Sequence, residues 1–409
     1  MPQTSFGIYS GYPRNRLPEA PDVAPDPTPR SRITTRIPNP LPRLWRTHRA
    51  PVGVSRVHDL RVGEVRLNVL DERMRGTRFV SLAPRSVLNS PTQTGMDFWS
   101  LNPYVGCEFG CTYCYARYAH RYVVERAHDA GKLDDAEFAD FRGPHGWEAF
   151  EKRIFVKEGI LAALDRDLRR FFRTAVRPYG DTADTIVIGT ATDPYQPAER
   201  EYKLTRAVLE RLAGYEGLSV GIITKSPLVA RDADVLSRLA RHNDVEILIS
   251  LITVDVALIR AFEARSPMPV VRLRAISKLA AAGLNVGLIV APVLPGVTDD
   301  RRHLEALFRA AREARAHFVY ASPLRLYPAI RDRFLPVLEA RSPTLAARYR
   351  AAYARQGAAP RHYARALTRR IQELQRAFGF PVNRGMQDRY EKRLPPVQHD
   401  LFAIRPAPP

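Results

Sequence analysis

Cys107, Cys111 and Cys114 are the only cysteines in the 409-residue chain, and they fall within eight residues of one another. Their spacing is C-x3-C-x2-C, inside NPYVGCEFGCTYCYARYAH at 102–120. An odd, tightly clustered set is a poor disulfide framework. Thiolates are soft ligands that suit zinc or iron–sulfur clusters. A four-iron cluster normally takes four protein ligands, so three cysteines leave one iron to chelate the amino and carboxylate groups of a small molecule. The competing chemistry is a Cys3His zinc site with His120 or His128 as the fourth ligand. Zinc sites usually draw their ligands from two separate knuckles, which this segment lacks.

Such a loop needs a framework around it. From about residue 100 to 325, short apolar or β-branched runs alternate with amphipathic helical stretches. The strand candidates are TIVIGT (185–190), LSVGIIT (218–224), VEILISL (245–251), NVGLIVA (285–291) and HFVYAS (317–322), after a first strand near 98–103. They are nearly continuous in apolar residues, as buried parallel strands are. Leu204, Val208 and Leu212 share one helix face, and Leu273, Ile276 and Ala280 share another. Thr298 is expected to cap a helix carrying Asp299 and Asp300 in its first turn. Right-handed crossovers turn six such units into an α/β fold, a partial (β/α)6 TIM-like barrel. The cysteine loop then sits at the C-terminal end of the first strand, where barrel sites are built.

The chain divides into four segments. Residues 1–55 form a Pro/Arg-rich arm, expected to be disordered because PEAPDVAPDPTPR lacks backbone donors and periodicity. Residues 56–96 form an N-terminal extension, 97–325 the barrel, and 326–409 a basic helical C-terminal extension. Within the last, two helices over 343–378 break near Gly357 and Pro360. The net charge is +20, and residues 341–409 hold 14 Lys and Arg against 4 Asp and Glu, so half the excess lies in the last sixth. A nucleic-acid partner fits that balance. Arg-rich coding fits it too, since 56 of the 63 basic residues are Arg. No run of 18 apolar residues exists and no apolar segment follows the N-terminal charges, so neither a membrane helix nor a secretory signal is expected. A cytoplasmic protein follows by default.

The cysteine spacing, with Tyr113 directly before the third cysteine, resembles the radical S-adenosylmethionine (radical SAM) superfamily. SLNPYVGCEFGCTYCYAR, with TDPYQPAERE, TKS, SLITVD and APVLPGVTD, is similar to its SplB-like branch, related to spore photoproduct lyase and often labelled DNA repair photolyase-like. The resemblance implies a [4Fe-4S] cluster on Cys107, Cys111 and Cys114, with SAM on the fourth iron. It implies reductive SAM cleavage to a 5′-deoxyadenosyl radical that abstracts hydrogen from substrate. An electron donor such as flavodoxin or ferredoxin, and DNA as a candidate substrate, come with it.

It also implies SAM contacts at the strand ends. Tyr113 stands near the adenine. Thr190, Thr192 and Asp193 replace a Gly-Gly-Glu-like turn that holds the methionyl amine, with Thr192 and Asp193 as the candidate contacts, or else they cap a turn. Lys225 suits the SAM carboxylate, or else is a solvated loop lysine. Ser250 suits the ribose, and the backbone at Ala291 suits the adenine edge. Arg272 is read as a surface helix charge, with the SAM carboxylate as its other option. Phe98, Trp99, Tyr104, Tyr115 and Tyr118 are expected to shield the cluster. The lyases use an additional cysteine to return a hydrogen atom, and here all three are spent on the cluster. No catalytic side chain is assigned.

Overall fold

The computed structural model describes residues 69–72, 76–131, 133–142, 146–174, 185–354 and 357–382. The arm at 1–55, the beginning of the 56–96 extension and the end of the 326–409 extension lie outside the described residues.

Six parallel strands follow one another: β1 (Trp99–Leu101), β2 (Thr185–Ile188), β3 (Ser219–Thr224), β4 (Asp244–Ser250), β5 (Val286–Val293) and β6 (Val319–Pro323). Each pairs with the next in chain order. Leu88–Asn89 adds an antiparallel edge beside β1. This is the expected partial (β/α)6 barrel, an open curl with β6 as its other edge.

The strands work because their side chains alternate between two apolar environments. Ile186, Ile188, Ile222, Ile247, Leu288 and Val290 join the main core with helix residues such as Leu168, Leu209, Leu236 and Leu304. The intervening residues Ile223, Leu248, Ile289, Ala291, Phe318 and Tyr320 form a separate small cluster on the helix-free inner face. Gly287 lies under Phe318, where a Cβ would come within 2.3 Å of the ring. Toward the strand C-termini the inner face becomes polar, with Ser100, Lys225 and Ser250.

The first crossover is the longest. Its strands Tyr104–Val105 and Arg153–Val156 join two strands that precede β1 in a second sheet, in the order Val69–Glu72, Arg78–Ser81, Arg153–Val156, Tyr104–Val105. The helix Ile160–Thr174 then packs Leu164, Leu168 and Phe171 on the barrel.

Two expectations need correction. Asp300, not Thr298, caps Arg301–Glu313: its Oδ1 accepts from His303 N at 3.0 Å. Thr298 is buried, with its hydroxyl taken by Leu294 N at 2.9 Å, so it fixes the preceding loop. The helix Pro269–Ala281 buries Arg272, Ala275, Ile276 and Leu279, a face rotated from Leu273–Ile276–Ala280.

The C-terminal region is helical, with Pro328–Glu339, Pro343–Ala352 and Arg361–Ala377. The last helix puts Leu367, Ile371 and Leu374 into the main core, and Gln375 Nε2 donates to Val319 O at 2.8 Å. It therefore covers β6 as a sixth barrel helix does.

Candidate functional site

The cysteine loop follows β1 and is held by three segments distant in sequence. Cys107 N donates to Phe150 O at 2.9 Å, and Thr112 N to Phe262 O at 2.9 Å. Cys111 pairs with Glu263 as an isolated bridge, and Arg265 N donates to Phe109 O at 3.0 Å. The third clamp is the loop after β2. Thr192 Oγ1 and Gln196 Nε2 donate to Gly106 O at 2.5 and 3.2 Å. Glu108 N donates to Gln196 Oε1 at 3.0 Å, and Glu108 Oε2 accepts from Ala198 N at 2.9 Å.

A buried charge network stands behind the loop. Glu263 and Arg272 are both wholly buried and ion-paired. Glu263 also accepts from Tyr113 OH, and from Ser266 Oγ at 2.7 Å. Arg272 Nη1 donates to Ser250 O at 2.8 Å and its Nε to Pro267 O at 2.8 Å. Burial pushes the Glu263 carboxyl up, but Arg272, Lys225 and the donated hydrogen bonds outweigh it and hold it at about 2.

Lys225 lies half-buried at the end of β3, its Nζ 3.2 Å from Ser250 Oγ and 5.7 Å from the centre of the Tyr113 ring. Burial opposes its charge, yet Cys111 and Glu263 raise its pKa above the ordinary lysine value. Asp193 sits beneath: its oxygens accept from Thr224 Oγ1 at 2.6 Å, Lys225 N at 2.7 Å and Tyr195 N at 2.9 Å. Both Thr192 and Asp193 are thus engaged with protein groups, Thr192 across to Gly106 and Asp193 partly as the cap of its own turn at Tyr195 N. Ala291 is half-buried beside Ile289 on the inner face. The structure brings Tyr113, Lys225 and Ser250 together.

The three thiols are free. Burial pushes them above their ordinary range; Asp193 and Cys111 add to the rise at Cys107, while Arg117 and Lys225 oppose it at Cys114. Among the described residues, no three His, Cys, Asp or Glu side chains are gathered as a metal-binding group. The donor chemistry still fits an iron–sulfur cluster: three soft sulfurs on one loop, close enough to perturb one another, beside cationic Lys225 and Arg117. It fits a Cys3His zinc site poorly. His120 is caged by Phe141, Phe150 and Phe155 with Nε2 2.9 Å from Arg153 O. His128 stacks on Phe138 and bonds Asp135.

Several roles differ from those read in the sequence. Arg272 is interior, not a surface charge, because Glu263 supplies a buried counter-charge. Tyr104 bonds Glu199 at 2.5 Å, while Trp99 packs edge-on against Phe171 within the same buried cluster as Cys107 and Cys111. Tyr115 is 40% exposed, with its hydroxyl on Thr190 O at 2.5 Å. The side chain of Tyr118 lies outside the described residues. Sequence reasoning missed Glu263, Glu151, Arg117 and Arg265. It also missed Ser100 and Asn102, which cluster with Thr190, and Asn102 Oδ1 accepts from Ala191 N at 2.8 Å.

Comparisons with known proteins agree with this geometry. The model of the Radical SAM superfamily matches residues 101–308. An uncharacterised protein of Mycobacterium tuberculosis is 32% identical over 345 residues, covering 84% of this chain and 93% of its own. An uncharacterised protein of Methanocaldococcus jannaschii is 24% identical over 210 residues, 51% of this chain and 66% of that one. Among solved structures, a spore photoproduct lyase mutant with bound AdoMet and dinucleoside spore photoproduct aligns with a TM-score of 0.52 at 16% identity, over 73% of this chain and 79% of that one. At that identity the likeness speaks to the fold. Among the described residues, no helix is long and apolar enough to cross a membrane.

Proposed function

The chain belongs to the radical SAM superfamily, and from that membership we propose that this enzyme holds a [4Fe-4S] cluster on Cys107, Cys111 and Cys114 and cleaves SAM reductively. Bound together, these cofactors supply a carbon-centred radical able to take a hydrogen atom from a substrate. The observation that carries the reading is the placement of the only three cysteines on a loop whose neighbours are Lys225 and Ser250, 3.2 Å apart. The Lys225 ammonium suits the SAM carboxylate, the Ser250 hydroxyl suits the ribose, and Tyr113 and Ala291 line the adenine side. Thr192 and Asp193 act from beneath, Thr192 by fixing the Gly106 carbonyl and Asp193 by fixing the backbone of Lys225.

The finer reading assigns the chain to the SplB-like branch, with nucleic acid as substrate and a low-potential carrier such as flavodoxin or ferredoxin as reductant, in the cytoplasm. Support comes from the +20 charge and from exposed arginines on the last helix. The spore photoproduct lyase structure binds a dinucleoside lesion, which is a property of that protein and a guide here.

Anaerobic reconstitution followed by dithionite reduction tests the core claim. A brown protein that releases 5′-deoxyadenosine from SAM is expected. Lys225→Ala and Ser250→Ala should each weaken SAM binding by roughly tenfold, about 1.4 kcal/mol, with the colour retained. Colourless protein without inorganic sulfide would end the proposal.

A further inference from the structure

On the reading just given, SAM and substrate fill the strand-end mouth where Lys225, Ser250, Ala291 and Tyr115 stand. A protein delivering an electron while both are bound has to reach the cysteine loop from its outer side. There the loop is covered by the turn between the helices Val256–Phe262 and Pro269–Ala281. Arg265 lies across it, with Nε donating to Glu108 O at 2.6 Å. Its guanidinium rests on Gly110, where a Cβ would stand 2.7 Å from Nη2. Yet the Arg265 side chain is 39% exposed. One guanidinium layer therefore separates solvent from the backbone between Cys107 and Cys111.

That face is rich in cations and carries apolar surface. Arg265, Arg117 at 2.6 Å and Arg333 at 3.8 Å all meet Glu151, a single buried carboxylate. Arg260 adds another exposed guanidinium, bonded to Ser266 O at 2.9 Å and Ala264 O at 3.2 Å. Glu148 is taken by Lys152, and Asp332 beside Arg333 offsets one charge. Met268 touches Arg260, and Val270 is 52% exposed two residues on. Mixed arginine and apolar surface is what interfaces enrich, and like-signed charge steers an oppositely charged protein.

We propose that Arg260, Arg265, Arg333, Met268 and Val270 form the docking surface for an acidic one-electron carrier protein. One electron leaves the carrier, which is oxidised by one, and enters the cluster, which is reduced by one. The proposal rests on the cluster reading above.

The test uses the reconstituted full chain with flavodoxin as probe. Binding of oxidised flavodoxin is followed by fluorescence anisotropy at low and high salt. SAM cleavage is driven in parallel by reduced flavodoxin and by dithionite. Arg260→Glu and Val270→Glu should each weaken flavodoxin binding about tenfold, most of all at low salt. Flavodoxin-driven cleavage should slow with it while dithionite-driven cleavage persists. Arg376→Glu, on the last helix, makes the same charge change as Arg260→Glu and should bind flavodoxin like the parent. Unchanged binding in the first two variants overturns the docking surface, as does equal weakening in Arg376→Glu. Failure of the parent protein to cleave SAM with dithionite instead overturns the cluster reading, and this proposal with it.

Discussion

Glu263 and Arg272 show what a single pair can decide. Taking both charges out of water costs several kcal/mol per ion, so such a pair is weak evidence of stabilisation by itself. Its use is positional: Glu263 reaches Tyr113 on the cysteine loop, and Arg272 reaches the Ser250 carbonyl at the end of β4. Glu263→Gln leaves Arg272 buried without its counter-charge and should lower the unfolding free energy by about 3–5 kcal/mol. Adding Arg272→Met should recover part of that loss, measured by urea denaturation of the metal-free protein. No recovery would mean that the pair is not the source of the cost. His120 offers a pH-dependent counterpart. Burial lowers its pKa from 6.5 to about 4, despite the opposing bond to Arg153 O. The unfolded chain therefore binds the proton first. Stability is full above pH 6.5 and is lost as pH falls toward 4, by up to about 3 kcal/mol from this group. His120→Phe should flatten the urea midpoint across that window, and an unaltered slope would remove His120 from the account.

At the scale of elements, the six strands were legible because buried parallel strands declare themselves as short apolar runs. Placement of the cysteine loop followed from the order of the units. The helix Pro269–Ala281 was harder. Leu273, Ile276 and Ala280 make a plausible apolar stripe, but the buried one is Arg272, Ala275, Ile276 and Leu279. A spacing of three, four and seven from Arg272 was visible in the sequence. What was not visible was Glu263, which becomes its partner only when the turn after Phe262 folds back. The contact from Glu263 to Tyr113 spans 150 residues, and no local pattern carries it. Thr192 and Asp193 read as cofactor contacts or turn caps from their place after β2, and their hydrogen bonds to Gly106 and Thr224 of other units had no local signal. The inner face gives a paired test of the strand packing. Gly287→Ala meets the Phe318 ring at 2.3 Å and should cost about 1–3 kcal/mol. Gly221→Ala meets Val187 at an ordinary 3.6 Å and should be neutral or stabilise by about 0.4–1 kcal/mol. Equal urea midpoints for the two variants would contradict the packing of Phe318 over β5.

The whole molecule carries its excess charge where it also needs structure. Removing residues 341–409 would discard half of the basic excess, but it would also strip Tyr349, Leu367, Ile371 and Leu374 from the core. A truncated protein that failed to bind nucleic acid would then report unfolding. The helix Arg361–Ala377 permits a cleaner experiment because its faces are separate. Leu367, Ile371 and Leu374 point inward, while Arg361, Arg365, Arg369 and Arg376 are exposed on the opposite side. Positions four apart rise about 6 Å along the axis, so the first three form a regular line of cations. The near end of this helix is anchored to the β5 side of the barrel by Tyr363 OH on Asp299 at 3.0 Å and Arg370 Nη1 on Asp299 O at 2.6 Å. Arg361→Gln, Arg365→Gln and Arg369→Gln together should leave folding intact, because none of the three is buried. If each neutralises one phosphate of a duplex, the slope of log affinity against log salt should become shallower by about 2.7. The measurement is oligonucleotide anisotropy between 50 and 200 mM salt, conditions set by the range over which counterion release is read. A slope unchanged by the triple substitution would assign the arginines to coding bias, and the nucleic acid, if it binds, to some other face.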